Sequence, residues 1–200
     1  MSRRAEQSRT TREHLVEVAT GLFAARGYEG TSIEAVLEEA GVSRGALYHH
    51  FKGKDALFDA VLASVELRIA EETLAAVADV TDPAHPDPVA GLRAGSLAWI
   101  RLAGDPVVRR IVLIDAPAVL GWERWREIEE ENALGGVKAV MQTAADAGLV
   151  PAELADLFAH MLLASVNELA LVVARSDDRA AAQDTAEKAV DALLARLLRG

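Results

Sequence analysis

The chain has no cysteine among its 200 residues, which excludes disulfides, thiolate metal centres and a cysteine nucleophile. Aromatic residues are scarce at 4%, and the abundance of alanine, leucine and valine favours helix over sheet. No uninterrupted run of about 18 apolar residues occurs, and the N-terminus is polar and basic without an apolar signal core. A soluble, cytoplasmic chain with no membrane partner is expected. Catalytic signatures are missing too: there is no G-x-S-x-G, Gly-rich phosphate loop, H-E-x-x-H or clear carboxylate pair. Neither a cofactor nor a metal is expected, and the chain is read as a non-enzyme. A helical enzyme acting on a small apolar substrate is the competing class.

What is present is 51% hydrophobic residues, enough for a large core in one domain or in a small domain joined to a larger one. The formal net charge of −10 is unevenly spread. Residues 1–54 hold eight Lys/Arg against seven Asp/Glu, and residues 55–200 hold thirteen against twenty-four. An acidic body repels nucleic acid, so any polyanion contact is confined to the N-terminal quarter.

Helical patterns follow one another, separated by short breakers, with no strand pattern and no repeat, so an all-α fold is expected. Thr10 with Glu13 forms a capping box that opens a first helix, and Gly27 stops it. Thr31 with Glu34 opens a second helix, ended by Gly41, and Ser43 caps a third. A long helix runs from Lys54 to the breaker "TDPAHPDP". Two more helices follow, the second bent or ended near Pro117, then a long one loosened at Gly135-Gly136, and two closing helices. In the helix from Ala152 to Arg175, Leu154, Phe158, Met161, Ser165, Leu169 and Val172 form one stripe, while other apolar residues cover most of the remaining circumference. Such a helix is buried on more than one side. With the stripe Ala186, Ala189, Val190, Leu193, Leu194 and Leu197 on the last helix, it suits a four-helix dimer interface, or else an internal core.

The segment "SRGALYHHFKGKDALF" concentrates cationic and polar donors in an acidic chain. On a helical wheel Leu47 and Phe51 face inward, while Gly45, Tyr48, His49 and Lys52 face outward, flanked by Arg44 and His50. Adjacent histidines point roughly 100° apart and cannot easily chelate one ion. A general base needs a cleft, which this helix does not obviously offer. A polyanion suits the spread of donors. Together with the preceding helix and its Gly-containing turn, "SIEAVLEEAGVSRGALYHHF" reads as a helix-turn-helix. Gly45 lets the second helix approach bases closely. Leu37 is bulkier than the small residue many such motifs carry there.

"GYEGTSIEAVLEEAGVSRGALYHHFKGKDALF" resembles the DNA-binding domain of TetR/AcrR-family transcriptional regulators over about a quarter of the chain. The resemblance implies a DNA-binding domain over 1–54, with residues 1–9 a flexible basic arm, and an effector-binding and dimerisation domain over 55–200. It implies that Ser43, Arg44 and Gly45 approach base edges and that Tyr48 and His50 contact phosphates. His49 packs against a base or sugar, Lys54 anchors the backbone, and Lys52 adds a donor. Thr31 and Ser32 touch phosphate as well. Arg3, Arg4, Arg9 and Arg12 form either a mobile basic arm or a plain tail.

The family pattern further implies a homodimer on a palindromic double-stranded DNA operator, with recognition helices about 34–36 Å apart. A small-molecule effector releases the DNA, and repression is the default sign; a DNA binder without an effector is the remaining alternative. For the effector, Trp99, Trp122, Trp125, Met141, Phe158 and Met161 are candidate apolar walls, with Asp115, His160 and Asn167 as orienting polar groups. Each of them also fits an ordinary core or interface position.

Overall fold

The computed structural model describes residues 3–198 except Pro83 and Pro86, and leaves out the side chains of residues 3–8 and Glu129. Among the described residues the architecture is helical, with one isolated bridge between Asp82 and His85 and no strand. The elements are α1 (Arg3–Arg26), α2 (Ile33–Ala40), α3 (Arg44–His50), α4 (Lys54–Ala78) and α5 (Pro88–Ala103). There follow α6 (Pro106–Val108), a π-wound turn (Arg109–Asp115), α7 (Ala116–Leu120) and α8 (Trp122–Glu129). A second π-wound turn (Glu130–Leu134), α9 (Gly135–Asp146), a 3-10 turn (Ala152–Leu154), α10 (Ala155–Arg175) and α11 (Arg179–Leu197) complete the chain.

Two compact units result, Met1–Leu67 with Pro106–Leu120, and Arg68–Asp105 with Gly121–Gly200. The division expected after residue 54 falls at the first turn of α4, whereas packing carries the first unit to Leu67. The cause is the inner face of α4: Leu57, Phe58, Val61, Leu62 and Val65 are all buried. Phe58 meets the Phe23 ring edge-on at 5.3 Å and the Tyr28 ring at 5.1 Å. Leu15, Ala19, Leu22 and Phe23 of α1, Val36 of α2 and Leu47 of α3 complete this core. Segment 106–120 buries Val108, Ile111, Val112, Leu113 and Ala116 and packs on α1.

Helix starts differ from the capping boxes in two places. α1 begins at Arg3, so Thr10 lies inside it and residues 3–9 of the expected arm continue the helix. Met1 and Ser2, and the side chains of Arg3 and Arg4, lie outside the described residues. α2 is capped by Ser32, whose Oγ accepts from the Ala35 N–H at 3.1 Å. Thr31 is buried instead, and its hydroxyl donates to the carbonyls of Gly27 (2.8 Å) and Leu22 (3.2 Å). Its task is to tie the α1–α2 turn to α1. The α2–α3 turn follows the sequence reading. Gly41 takes the left-handed conformation (φ 64°) that glycine tolerates, and the Ser43 hydroxyl accepts from Ala46 N–H at 3.2 Å.

In the second unit, α10 packs against α5, α9 and α11, and α11 packs on α5. The stretch Ala152–Arg175 meets the length and composition of a membrane span, with a mean hydropathy of 1.8. Yet Ala159, Leu162, Leu163, Val166, Ala170, Leu171, Val173 and Ala174 fill the interior of this unit. Its other side is uncovered: Leu157, Met161 and Val172 are exposed. The two-sided apolarity read from sequence is therefore one face of core and one bare stripe. The loosening expected at Gly135-Gly136 occurs just before it, as the π turn at Glu130–Leu134.

Phe58→Ala removes a fully buried ring and is expected to cost about 3–5 kcal/mol, read as a lower urea midpoint with an unchanged denaturant slope.

Candidate functional site

Helix α3 is seated by two side chains: Leu47 is 0% exposed and Phe51 3%. Its opposite face carries Ser43, Arg44, Gly45, Tyr48 and His49, all exposed, and Lys52 continues that surface. His50 and Lys54 are half-buried. The structure thus gathers Ser43, Arg44, Gly45, Tyr48, His49 and Lys52 on one accessible surface, with Ser32 exposed at the start of α2. Thr31 is withdrawn from it: a hydroxyl spent on two backbone carbonyls in the interior is not available to a phosphate.

Several members of this surface already have partners. The Arg44 guanidinium bonds Glu34 of α2 at 2.6 Å, and a backbone hydrogen bond and Arg44 hold the Glu34 carboxyl below its ordinary pKa. Lys54 Nζ sits 4.0 Å from the centre of the Tyr28 ring, a cation–π contact. Burial, then the charges of His49 and Arg12, lower the His50 pKa, so its ring presents neutral N–H chemistry at neutral pH. Arg12 lies over the Phe51 ring at 5.3 Å and Arg9 reaches Glu13 at 3.6 Å. Neither belongs to a loose arm.

Gly45 is informative for what surrounds it. A Cβ there would meet nothing closer than Ser43 Oγ at 4.0 Å. No internal contact requires a glycine, although glycine inside a helix costs about 0.5–1 kcal/mol relative to alanine.

Behind the α1–α2 turn lies a polar knot that sequence reasoning did not find. Tyr28 donates its backbone N–H to Asp115 Oδ2 at 2.7 Å, and Arg110 Nε donates to the same oxygen at 3.2 Å. The Tyr28 hydroxyl donates to Asp55 at the start of α4. Gly27 gives the Arg110 guanidinium room, since a Cβ at that position would lie 1.7 Å from one of its nitrogens. Asp115 is 7% exposed, and these bonds provide the partners that a buried carboxylate requires. It was expected in the effector pocket; its place is instead in the first unit, bracing the turn. The Gly-Tyr pair was a visible signal, but its partners lie 27 and 87 positions away.

The second unit holds a cavity of about 270 Å³ between α8 and α10. Of the expected wall residues it gathers Trp122, Trp125, Met161 and Asn167, together with His160. Trp99 stands behind Asn167 and donates its indole N–H to Oδ1 at 2.9 Å. Met141 is fully buried and does not line the cavity; neither does Phe158. The Trp122 and Trp125 rings lie 4.7 Å apart. Among the described residues, the buried Trp125 indole N–H has no acceptor. Arg126, Glu130 and Glu168, which the sequence reading did not single out for this role, also line the wall. No group of three His, Asp or Glu placed to hold a metal ion occurs among the described residues.

A helix-turn-helix with an uncovered recognition face, in a chain that also holds a second, larger helical unit, is the architecture of a helix-turn-helix regulator. Comparison with known proteins agrees. Residues 15–61 match the model for "Bacterial regulatory proteins, tetR family", and residues 89–197 match "Tetracyclin repressor-like, C-terminal domain". The chain belongs to the TetR family of DNA-binding transcriptional regulators. The HTH-type transcriptional regulator AcrR of Shigella flexneri is 40% identical over 72 residues, 36% of this chain and 34% of that protein. The repressor KstR2 of Mycobacterium tuberculosis is 39% identical over 62 residues, 31% of each. The chain therefore matches about a third of the length of these relatives. A TetR-family regulator from Pectobacterium atrosepticum superposes with a TM-score of 0.83 at 29% identity, covering 99% of this chain and 98% of that one. The SmeT–triclosan complex shares the fold at 24% identity, with a TM-score of 0.72 over 95% of this chain and 92% of that one.

Burial and the hydrogen bond to Asp55 push the Tyr28 hydroxyl up to about 12. A phenol harder to ionise folded than unfolded adds stability that is complete below its ordinary pKa of about 10 and is lost as pH rises toward 12. Wild type is expected to lose more thermal stability than Tyr28→Phe between these values. Asp115→Ala, which leaves the Tyr28 N–H and Arg110 without their acceptor, is expected to cost about 1–3 kcal/mol in chemical denaturation.

Proposed function

We propose that this chain is a repressor that binds a palindromic operator as a homodimer and is released by a small-molecule effector. The observation that carries the reading is Gly45, an exposed glycine in the first turn of α3 that no contact among the described residues requires. A surface pressed against a partner explains it: without a Cβ, the backbone of α3 comes close to base edges in a major groove. Ser43 and Arg44 flank that approach. Tyr48, His49, His50, Lys52 and Lys54 reach the bases, sugars and phosphates around it, and Ser32 meets the backbone from α2. Residues 1–54 then read DNA, and residues 55–200 carry effector and dimer functions.

The bare stripe of Leu157, Met161 and Val172 on α10 supports dimerisation through that helix, since an isologous contact would cover it; of the stripe expected on α11, Ala186, Val190 and Leu194 are buried within the unit. The cavity beside Trp122 and Trp125 supports effector binding, with Met161 and Asn167 in its wall and Trp99 fixing Asn167. Repression agrees with the printed roles of KstR2 and of AcnR from Corynebacterium efficiens. A regulator of this kind works in the cytoplasm.

Gly45→Ala separates this reading from a purely structural role. The substitution is expected to raise stability by about 0.5–1 kcal/mol while weakening operator binding at least tenfold in fluorescence anisotropy. Equal operator affinity would overturn the recognition role of α3. Lys54→Ala is expected to weaken specific and non-specific DNA alike and to lower the slope of log K against log salt by about one.

A further inference from the structure

Two cations of the first unit are seated on aromatic rings beside the C-terminal end of α3. The Arg12 guanidinium stands over the Phe51 ring at 5.3 Å from its centre, and Lys54 Nζ stands over the Tyr28 ring at 4.0 Å. Phe51 closes α3 and is buried, while Arg12 is exposed. Lys54 begins α4 directly after the link of residues 51–53. Arg12 therefore brings a charge from α1, and Lys54 one from α4, to the end of the helix that carries Tyr48 and His49.

Neither cation is spent on a carboxylate. Glu13, next to Arg12, is paired with Arg9 at 3.6 Å, and Glu34 is paired with Arg44 at 2.6 Å. Asp55, next to Lys54, accepts the Tyr28 hydroxyl. Among the described residues neither Arg12 nor Lys54 forms an ion pair. Folding alone does not explain their places. The His49 and His50 rings lie 5.0 Å apart and His50 meets the Phe51 ring at 6.3 Å, so Arg12 adds its charge to two groups that also take up protons. Burial first, and then the charges of His49 and Arg12, lower the His50 pKa. Such crowding is unfavourable until an anion enters it. Lys54 occupies the first turn of α4, where the helix dipole disfavours a cation. The rings also act on freedom of movement. A long cationic side chain loses rotamer entropy when it engages a phosphate, and one already seated on a ring has given up part of it beforehand. Its remaining N–H groups stay open to an acceptor. Tyr28 is itself held, through its N–H to Asp115 at 2.7 Å and by the Phe23 and Phe58 rings.

We propose that Arg12 is a further DNA-binding residue, which with Lys54 forms a pair of preset contacts to the phosphate backbone, positioned by Phe51 and Tyr28. The assignment deepens the operator-binding reading above and rests on it. Arg12 supplies a guanidinium, whose flat fork suits a phosphate, and Lys54 a point charge. Both contacts are blind to sequence: they fix how α3 sits on a duplex while Ser43, Arg44 and Gly45 meet the base edges. The competing role for Arg12 is cover for Phe51, since the stem of an arginine shields apolar surface. Salt separates the two roles, because a phosphate contact releases counterions and a packing contact does not.

The probe is a fluorescein-labelled duplex of arbitrary sequence, about 30 base pairs long, titrated with the full-length protein by anisotropy over a series of salt concentrations. Arg12→Gln is expected to weaken binding about five- to tenfold at about 50 mM salt, and to lower the slope of log K against log salt by about as much as Lys54→Ala does. Arg12→Lys should keep the slope, and the two losses of slope should add in the double variant of Arg12→Gln with Lys54→Ala. Tyr28 is read through Lys54. Tyr28→Phe keeps the ring and should bind within about twofold of wild type, whereas Tyr28→Leu should weaken binding about threefold or more with Lys54 present and not at all in the Lys54→Ala background. Circular dichroism fixes a temperature at which every variant is folded. An unchanged slope in Arg12→Gln, even beside a lowered thermal midpoint, assigns Arg12 to packing and overturns the proposal. Equal losses from Tyr28→Leu with and without Lys54 overturn the positioning role of Tyr28. If Gly45→Ala weakens operator binding while Arg12→Gln leaves DNA binding intact, this assignment fails alone. If wild type shows no salt-dependent binding to duplex DNA, the regulatory reading fails and takes this assignment with it.

Discussion

A helix of seven residues does not hold itself together in water, because isolated helices need about 12–15 residues even with favourable sequences. α3 has seven. It exists because Leu47 and Phe51 are buried, while Ser43 closes its first turn and the Phe51 N–H bonds back to the Leu47 carbonyl. This inner anchoring carries most of the seating of α3, with the Arg44–Glu34 pair tying it to α2 from the outside. Gly45, Tyr48 and His49 lie exposed on the outer face, as a recognition surface requires. The interlocked Phe23, Tyr28 and Phe58 rings hold the floor on which this short helix rests.

The legible parts of the fold were local ones. Gly41 and Ser43 mark the turn through backbone conformation and capping, both properties of a few adjacent residues. The inward pair Leu47 and Phe51 follows from helical spacing alone. The illegible parts depend on distant partners. Thr31 and Glu34 have the spacing of a capping box, and only the positions of the Leu22 and Gly27 carbonyls decide that Thr31 turns inward and Ser32 caps. Asp115 looked like an isolated carboxylate suited to a ligand because its partners, Tyr28 among them, lie far away in sequence. Thr10 failed as a helix start for a simpler reason: a capping pattern inside a continuing helix costs little, so it does not force an end.

The candidate effector site was legible in kind and less so in membership. Tryptophans near a proline and a glycine do mark the cavity, and Trp122 and Trp125 line it. Periodicity could not separate Met161, which faces outward and lines the wall, from Met141, which is sealed in the interior. Nor could it single out Glu168. A lone glutamate on an apolar helix reads as a solubilising residue until the cavity beside it is seen.

Gly27 and Arg110 set a condition on how such a chain can diverge. The glycine is held at φ 75° and its missing Cβ is replaced by the guanidinium that steadies Asp115. A side chain at position 27 would have to displace that guanidinium, at the cost of the bond that Arg110 gives to Asp115. The two sites, 83 positions apart in sequence, are thus coupled in one direction: a change at Gly27 disturbs Arg110, whereas a change at Arg110 leaves the glycine undisturbed.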